Sequence, residues 1–499
     1  MPEMPSKSRE SPYLCADNPV PAQRFKQKPM PGTIDQCPAH IASLITSGGD
    51  ERITTDAGTG SNKYFVNPAE VTGRLNRGSC TCSTLNPYSL ERLMIFHERL
   101  AEEGFEKLRR EQVSRLKTLL NYEGEDKFEI FFAPSGSDLS YLPLLMAGML
   151  YPGKKIHNLL TCPEELGTGT QIAALGRYFM QANQFGEEMP YRDLLSEDID
   201  IEVSNFPARD VDGRIMDHNQ ELRAVIRAHS DQARIGNLVI GSKSGIENNL
   251  NILFEVEDEM LWVVDLCQFR NSKRLVNKLL DLNCMIMLTG SKFYQSPPFC
   301  GLMLVPRQII RRLQSASGPV AATFTRLFSR QDIPEALPDL RRQFRDFHNE
   351  GLMARWECAI SEMEAYDAIP RQVAQEMITT WNSFVRQELI SRPIFELMPN
   401  QEQTNKSIIS FRVRCQDRYL DHEELRRVFE AVVTDSHNTL SGPYHKIFIG
   451  QPVAYADKSF IRLALGSYDL RQLLDSGGNL DNDRTIIDIL EQKALELCS

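Results

Sequence analysis

The stretch MLWVVDLCQFRNSKRLVNKLLDLNCMIMLTGSKF (260–293) holds two short apolar runs with a longer, mostly polar segment between them. Each apolar run ends at polar or glycine residues, which is typical of a buried strand. The segment between the runs has the length of a helix. A strand, a helix and a second strand in this order predict two parallel strands, with the helix packed on one face of their sheet.

The same alternation continues on both sides of this stretch, and it predicts an α/β fold with a mostly parallel sheet covered by helices on both faces. In such sheets ligands bind beyond the carboxyl ends of the strands, so polar residues directly after the strands are the candidate site. Further strands are predicted at 128–134, 154–162, 199–206 and 235–242, and helices at 140–151, 168–185 and 213–229.

A different pattern begins after about residue 340. A long helical stretch is followed by SIISFRVRC (407–415), which alternates like an antiparallel strand, and later by the apolar run FIRLALG (460–466). This pattern predicts a smaller α+β domain at the C-terminus, over 336–499. Residues 41–335 are then the large domain, and the Pro-, Ser- and Lys-rich residues 1–40 are predicted to form a mobile tail.

Composition excludes several classes of protein. The 499 residues carry a net charge of −11, which argues against a nucleic-acid-binding surface. No apolar run reaches the roughly 18 residues of a membrane span, and residues 1–9 lack an apolar signal core, so a cytoplasmic protein is expected. Eleven scattered cysteines do not form a disulfide framework. The pair Cys80 and Cys82 has no second pair at metal-site spacing, so we predict thiols and no metal site.

The first candidate site is APSGSD (133–138), between a predicted strand and a predicted helix. A glycine and hydroxyl residues at a helix N-terminus offer N–H groups and a favourable dipole to a phosphate. Gly136, Ser137 and Asp138 are therefore candidate phosphate ligands. Ser and Asp also cap helices for purely structural reasons, and that alternative stays open. Pro143 must lie in the first turn of the helix or kink it.

The second candidate is Asp265, at the end of an almost wholly apolar strand. A carboxylate there is costly unless it is paired, and a protonated ring nitrogen of a bound cofactor is a suitable partner. Gln268 follows three residues later and could reach a ring oxygen. The alternative is an aspartate that only caps the turn after its strand.

The third candidate is Lys292 in LTGSKF (288–293), again at the end of an apolar strand. Partial burial favours the neutral amine of a lysine, which is the form that adds to an aldehyde. Thr289 and Ser291 could add hydroxyl contacts to a phosphate. A single lysine after a strand is more commonly just solvated.

The fourth candidate is Arg462, which interrupts the apolar run FIRLALG (460–466). The planar guanidinium suits a carboxylate, because it can bind both oxygens at once. The alternative is an arginine that points outward from a half-buried strand.

Taken together and in this order, these motifs resemble the class V aminotransferase group of fold-type-I enzymes dependent on pyridoxal 5'-phosphate (PLP). The resemblance covers roughly 75–470. It implies a fold-type-I transferase fold, PLP held as a Schiff base on Lys292, and a substrate carboxylate bound by Arg462. It also implies that Asp265 keeps the pyridine nitrogen protonated. The positions that match the motifs of the group are Gly136, Ser137, Asp265, Gln268, Thr289, Ser291, Lys292, Arg462, Ala464 and Gly466, with Ser242 at a strand end near the ring.

Two stretches depart from the pattern of this group. Asp138 stands where many members have glutamate. The stretch CPEELGTG (162–169) lacks the aromatic or histidine that commonly stacks on the cofactor ring, so Glu165 or a neighbour is expected to cover the ring. The resemblance further implies a homodimer, with 86–122, predicted as one or two surface helices, and 78–84 as candidates for the interface and the edge of the site.

The motifs imply chemistry at the α-carbon of an amino acid, and transamination is the favoured reaction. A lyase that performs β-elimination or kynureninase-like cleavage is the alternative. Cysteine desulfurase chemistry is disfavoured, because no cysteine lies between Gln416 and Arg462. Two readings from other classes stay open: a non-catalytic protein of the same fold, and a nucleotide-binding protein. The latter leaves Lys292 and Arg462 unexplained.

Overall fold

The computed structural model describes residues 36–498, except 79, 81–82, 122–125, 257–259, 269 and 271–272. The predicted tail therefore lies outside the described residues up to residue 35, and helix α1 begins at Ala39. The strands are β1 Arg74–Arg77, β2 Phe128–Ala133, β3 Ile156–Thr161, β4 Ile201–Phe206, β5 Ala233–Val239, β6 Leu261–Asp265, β7 Met285–Thr289, β8 Gly301–Pro306, β9 Phe395–Leu397, β10 Ile408–Cys415, β11 Arg418–Tyr419, β12 Lys446–Tyr455 and β13 Lys458–Ala464.

The described residues form sixteen α-helices. They are α1 Ala39–Ile45, α2 Pro87–Glu103, α3 Phe105–Leu120, α4 Tyr141–Leu150, α5 Thr168–Ala174, α6 Asn219–Ala228, α7 Ile252–Glu255, α8 Lys273–Asp281, α9 Arg307–Gln314, α10 Ala322–Thr325, α11 Pro338–Arg341, α12 Glu350–Asp367, α13 Arg371–Ile390, α14 His422–Thr434, α15 Ser467–Asp475 and α16 Asp481–Cys498.

The larger sheet has the strand order β2-β8-β7-β6-β5-β3-β4. Strands β3 to β7 pair in parallel, whereas β8 is antiparallel to both of its neighbours. Consequently β2 runs in the same direction as β7, and both end at the same edge of the sheet. Strands β2, β3, β7 and β8 are buried along their whole length, because separate hydrophobic cores cover the two faces. The predicted, mostly parallel sheet is confirmed.

The second sheet has the order β1-β12-β13-β10-β11, with β9 beside β10. Strand β1 comes from the N-terminal part of the chain and pairs in parallel with β12, a contact between distant segments that the sequence did not predict. Helix α12 packs Leu352 and Trp356 into a core of the larger sheet, although it follows the predicted domain boundary. The division at 335/336 stays a prediction.

The predicted helix over 168–185 is wrong in its second half. Helix α5 ends at Ala174, and Gly176 has a φ of 67°, a left-handed conformation that favours glycine and ends the helix. The chain then continues through isolated bridges, such as the one between Arg177 and Leu194. Tyr178 and Phe179 are buried all the same, so the apolar spacing reflected burial and not a helix.

Helices α2 and α3 cover most of the described part of the segment 86–122, as predicted, and Gly104 separates them. Their apolar faces pack against α12. One feature of the described cysteines was not predicted, since Cys415 and Cys498 form a disulfide with their Cα atoms 5.7 Å apart. Among the described residues, no helix combines the length and apolarity needed to cross a bilayer.

Candidate active site

The predicted site residues gather at one edge of the larger sheet. Ser137, Ser242, Asp265 and Lys292 all follow or end strands whose carboxyl ends lie at that edge. The second sheet contributes Arg462 from β13. Ligand sites in parallel sheets are expected at this edge. The residues that meet here come from segments far apart in the sequence.

The turn after β2 carries the predicted phosphate ligands, and we call it the anion cradle. A short 3₁₀ turn over Asp138–Ser140 leads straight into α4, and Pro143 lies in the first turn of that helix, where its missing N–H costs little. A Cβ atom at Gly136 would lie 2.9 Å from Cγ2 of Thr289, so only glycine allows the turn to approach the end of β7 this closely. The Ser135 hydroxyl accepts hydrogen bonds from the backbone N–H groups of Ser137 and Asp138, at 3.2 and 3.3 Å.

Arg52 contacts this turn, and no motif in the sequence pointed to it. Its guanidinium donates to the hydroxyls of Ser135, at 2.9 Å, and Ser137, at 3.4 Å, and it forms a buried ion pair with Asp50. Burial opposes the charge of Arg52, but the Asp50 carboxylate raises its pKa above the ordinary value. The side chain thus places a permanent positive charge beside the predicted phosphate turn.

Asp138 differs from an ordinary aspartate in the pKa of its carboxyl group. Burial, with a further contribution from the Asp50 charge, raises the pKa of Asp138 from 3.8 to about 7. The Ser135 hydroxyl donates to its carboxylate at 2.6 Å. Near neutral pH this carboxyl group is therefore partly protonated, and it can donate as well as accept a hydrogen bond.

Asp265 lies at the end of β6 and is only partly buried. Its Oδ1 accepts the Cys267 backbone N–H at 2.7 Å, so it caps the following turn, as the structural alternative predicts. Thr289 donates to the Cys267 carbonyl oxygen at 2.8 Å, which ties the end of β7 to the same turn. Gln268 is buried, and its side-chain oxygen accepts a hydrogen bond from Arg270 at 2.7 Å. These contacts fix the positions of the predicted residues relative to one another.

Lys292 is partly exposed, whereas Ser291 and Phe293 on either side of it are buried. The Ser83 hydroxyl donates to the backbone oxygen of Ser291 at 3.4 Å. Ser83 belongs to the predicted edge segment 78–84, and it contacts the turn that carries Lys292. Residues 79, 81 and 82 of that segment lie outside the described residues.

Ser242 and Glu165 belong to a buried polar cluster. Glu165 accepts hydrogen bonds from the hydroxyls of Ser242 and Ser244. It also forms an ion pair with Arg209 at 3.2 Å, in which both side chains are fully buried. The cluster connects the turn after β3 with the turn after β5. Contacts of Ser242 or Glu165 with a cofactor remain predictions.

Lys243 is a second lysine at the same edge, and it is not among the predicted site residues. It follows β5 much as Lys292 follows β7, so the signal was present in IGSKSG (240–245). Its ammonium donates to the Leu166 backbone oxygen at 2.6 Å. Burial, together with the charges of Arg462 and Lys292, lowers the pKa of Lys243 to about 8. Lys243, Lys292 and Arg462 therefore lie in the same part of the candidate site.

Arg462 is 2% exposed, which excludes an outward-pointing side chain. It donates to the Gln451 backbone oxygen at 2.6 Å. Arg270 lies nearby, since the charge of Arg462 adds to burial in lowering the pKa of Arg270 to about 9. Arg270, also absent from the sequence prediction, lies with its guanidinium 5.0 Å from the centre of the Phe293 ring. Arg462 and Arg270 are therefore two cations in this part of the candidate site.

Solved structures share this fold. An alanine–glyoxylate aminotransferase from Nostoc sp. is 16% identical, with a TM-score of 0.55 over 85% of this chain and 96% of its own. The cysteine desulfurase CsdA from Escherichia coli is 13% identical, with a TM-score of 0.51 over 85% of this chain and 94% of its own. TDC from Oryza sativa, solved with PLP, is 11% identical, with a TM-score of 0.52 over 86% of this chain and 84% of its own.

No family model and no curated protein sequence matches the chain. At identities this low, structural similarity establishes the fold alone. The chain shares the fold of these proteins, which is the fold-type-I architecture that its motifs predicted.

Proposed function

We propose that this chain is an enzyme that holds PLP on Lys292 and acts at the α-carbon of an amino acid. The observation that carries the proposal is the meeting of four groups at one sheet edge: the anion cradle after β2, the carboxylate of Asp265, the amine of Lys292 and the buried guanidinium of Arg462. Each group matches a different part of the cofactor or of its substrate. The PLP bound to one solved relative in fold supports the same choice of cofactor.

The residues present fit PLP by their chemistry. Gly136 permits a close approach to the turn, and Ser137 and Ser291 bring hydroxyl donors suited to a phosphate. Asp138, with its raised pKa, and Thr289 border the same cradle. The Asp265 carboxylate suits a protonated pyridine nitrogen, Gln268 a ring oxygen, and the Lys292 amine an aldehyde. When bound, PLP supplies an electron sink that stabilises negative charge at the α-carbon of the substrate.

The chain's own residues orient the substrate and move its proton. Arg462 binds the α-carboxylate through both oxygens, and this contact determines which α-carbon bond is aligned for cleavage. Lys292 acts as the general base that takes the α-proton. Asp265 keeps the ring nitrogen protonated. Lys243 and Arg270 add positive charge, so an amino acid with an acidic side chain suits this site better than one with a basic side chain.

Transamination is the reaction that we propose, and an aminotransferase is among the solved structures of the same fold. β-Elimination or kynureninase-like cleavage by a lyase is the alternative. Cysteine desulfurization has less support, even though a desulfurase shares the fold, because the loop before Arg462 lacks a cysteine nucleophile between 416 and 462. A keto-acid acceptor separates the reactions: amino-group transfer requires the acceptor, and elimination proceeds without it.

The test must distinguish Lys292 from Lys243, because both are lysines at the same edge and Lys243 has the lowered pKa. Purified chain is loaded with PLP, reduced with borohydride and mapped by peptide mass spectrometry. We expect the pyridoxyl label on Lys292, and its loss together with the visible absorbance of bound PLP in Lys292→Ala. The matched variant Lys243→Met should keep the label on Lys292. A label on Lys243, or a chain that binds no PLP, would overturn the assignment and favour the non-catalytic alternative.

A further inference from the structure

Two histidines and a glutamate meet at the edge of the larger sheet opposite the candidate active site. His157 and Glu202 are the second residues of β3 and β4 and are direct partners in the parallel register of these strands. His229 directly follows α6. One possible ligand atom from each residue lies within 4.8 Å of the other two. These positions are at the amino ends of the strands, whereas the active-site residues follow the carboxyl ends.

The two imidazole rings are already arranged as metal ligands commonly are. His229 Nδ1 donates to the Val225 backbone oxygen at 2.8 Å, which leaves Nε2 as the nitrogen with a lone pair. His157 Nε2 contacts the Ser204 hydroxyl at 2.9 Å. The ring centres are 4.0 Å apart, and the ring planes meet at 82°.

The buried Nδ1 atom of His157 is an independent indication that a ligand binds here. The residue is 0% exposed, and among the described residues its Nδ1 has no hydrogen-bond partner. A buried polar nitrogen without a partner is unfavourable, and native structures rarely retain one without a reason. With Nε2–H donating to Ser204, Nδ1 carries a lone pair that a cation would satisfy.

We propose that His157, Glu202 and His229 form a binding site for a divalent transition-metal ion, and that zinc is the ion it fits best. Two neutral imidazoles and one carboxylate are a common ligand set for zinc, with water in the fourth position. Zinc–nitrogen bonds are about 2.0–2.1 Å long, so ligand atoms that lie within 4.8 Å of one another can close around one ion with at most a small adjustment. Glu202 and His229 are both partly exposed, which leaves room for this adjustment. The ion would join β3, the edge strand β4 and α6.

Lys155 is the present partner of the carboxylate. Its ammonium lies 2.9 Å from Glu202 Oε2, and both side chains are about two-fifths exposed, at 38% and 42%. Exposed ion pairs of this kind contribute little to stability, so a dication can displace the lysine. Removal of the lysine also removes a repulsive charge near the ion. The variant Lys155→Ala should therefore bind the metal more tightly than the wild-type chain.

The experiment uses the full chain, freed of metal by dialysis against a chelator and titrated with zinc chloride. We expect one high-affinity equivalent of zinc per chain and a rise in melting temperature on addition of zinc. Glu202→Gln and His229→Ala should each weaken binding by more than about tenfold. Because both positions are at least partly exposed, these variants should fold even if a change at the buried His157 does not.

His97→Ala is the matched control, since His97 and His40 form another close pair, with ring centres 5.0 Å apart. This variant should bind zinc as the wild-type chain does. Cobalt(II) as a second probe should give the visible bands of a tetrahedral ion with nitrogen and oxygen ligands. Zinc affinity that does not change in Glu202→Gln and His229→Ala would overturn the proposal, and so would cobalt spectra that show thiolate ligands.

Discussion

Arg462 is the residue on which substrate recognition depends in the proposed site. It is buried beside Lys243 and Arg270, and a lysine in its place would keep the charge but lose the fork that binds both carboxylate oxygens. We expect Arg462→Lys to raise KM. Arg462→Ala should cost about 2–3 kcal/mol of carboxylate binding, or roughly 30- to 150-fold.

The measurement for Arg462 is kcat/KM for an amino acid and for its decarboxylated analogue, in the wild-type chain and in Arg462→Ala. The ratio of the two should fall in the variant, while the absorbance of bound PLP is retained. If the ratio stays the same, the carboxylate is bound elsewhere.

Asp138 should make cofactor affinity depend on pH. Its pKa is raised to about 7 by burial, so the carboxyl group is neutral below pH 7 and becomes charged as the pH rises through that value. A charged Asp138 repels the phosphate, and the affinity for PLP should therefore fall above pH 7. Asp138→Asn stays neutral and should show a flatter profile. The dissociation constant of PLP between pH 6 and 9 tests this, and parallel profiles for the two chains would contradict it.

The raised pKa of Asp138 should also make the free energy of unfolding depend on pH. The ordinary pKa of an aspartate in the unfolded chain is 3.8, and the folded value is about 7. Between these values the folded chain binds more protons than the unfolded chain, so the free energy of unfolding falls as the pH rises from about 4 through 7. Asp138→Asn should lose less stability over this range when the cofactor-free chains are unfolded with urea.

At the scale of elements, Gly104 determines where α2 ends and α3 begins. Its φ is 82° and its ψ is 160°, a conformation that residues other than glycine rarely adopt. An added Cβ would meet nothing within 4 Å, so Gly104→Ala tests backbone strain alone. We expect it to lower the free energy of unfolding by about 1–3 kcal/mol.

Gly148 in α4 is the matched control, because a Cβ there also meets nothing within 4 Å and the backbone is helical. Gly148→Ala should leave stability unchanged or raise it by about 0.5–1 kcal/mol. Urea denaturation of both variants gives the comparison. Equal effects of the two substitutions would show that strain at Gly104 is not what separates the helices.

At the scale of the whole molecule, we predict a homodimer that uses the segment 86–122. Ile95 on α2 is 47% exposed, and such an apolar side chain suits an interface. Sedimentation velocity should show a dimer for the wild-type chain and a shift toward monomer for Ile95→Asp. Leu495 on α16 is similarly exposed, at 53%, and Leu495→Asp should leave the dimer intact. An active monomer at assay concentration would contradict the prediction.

The larger sheet and the candidate residues at its edge could be predicted from the sequence. Buried parallel strands need continuous apolar runs, so runs such as those before Asp265 and Lys292 are visible without any alignment. Because parallel strands end at one edge, the polar residues after them had to converge there. The helix prediction was wrong at 175–185, because buried apolar residues there have a helix-like spacing without forming a helix.

Contacts between side chains far apart in the sequence could not be predicted in the same way. Arg52 contacts Ser137, β1 pairs with β12 in the second sheet, and His157 pairs with Glu202. No local spacing in the sequence predicts these contacts. Local patterns record whether a residue is buried and in which kind of element. Contacts between distant residues depend on strand order, register and the path of loops, which the chain settles only when its whole core packs together.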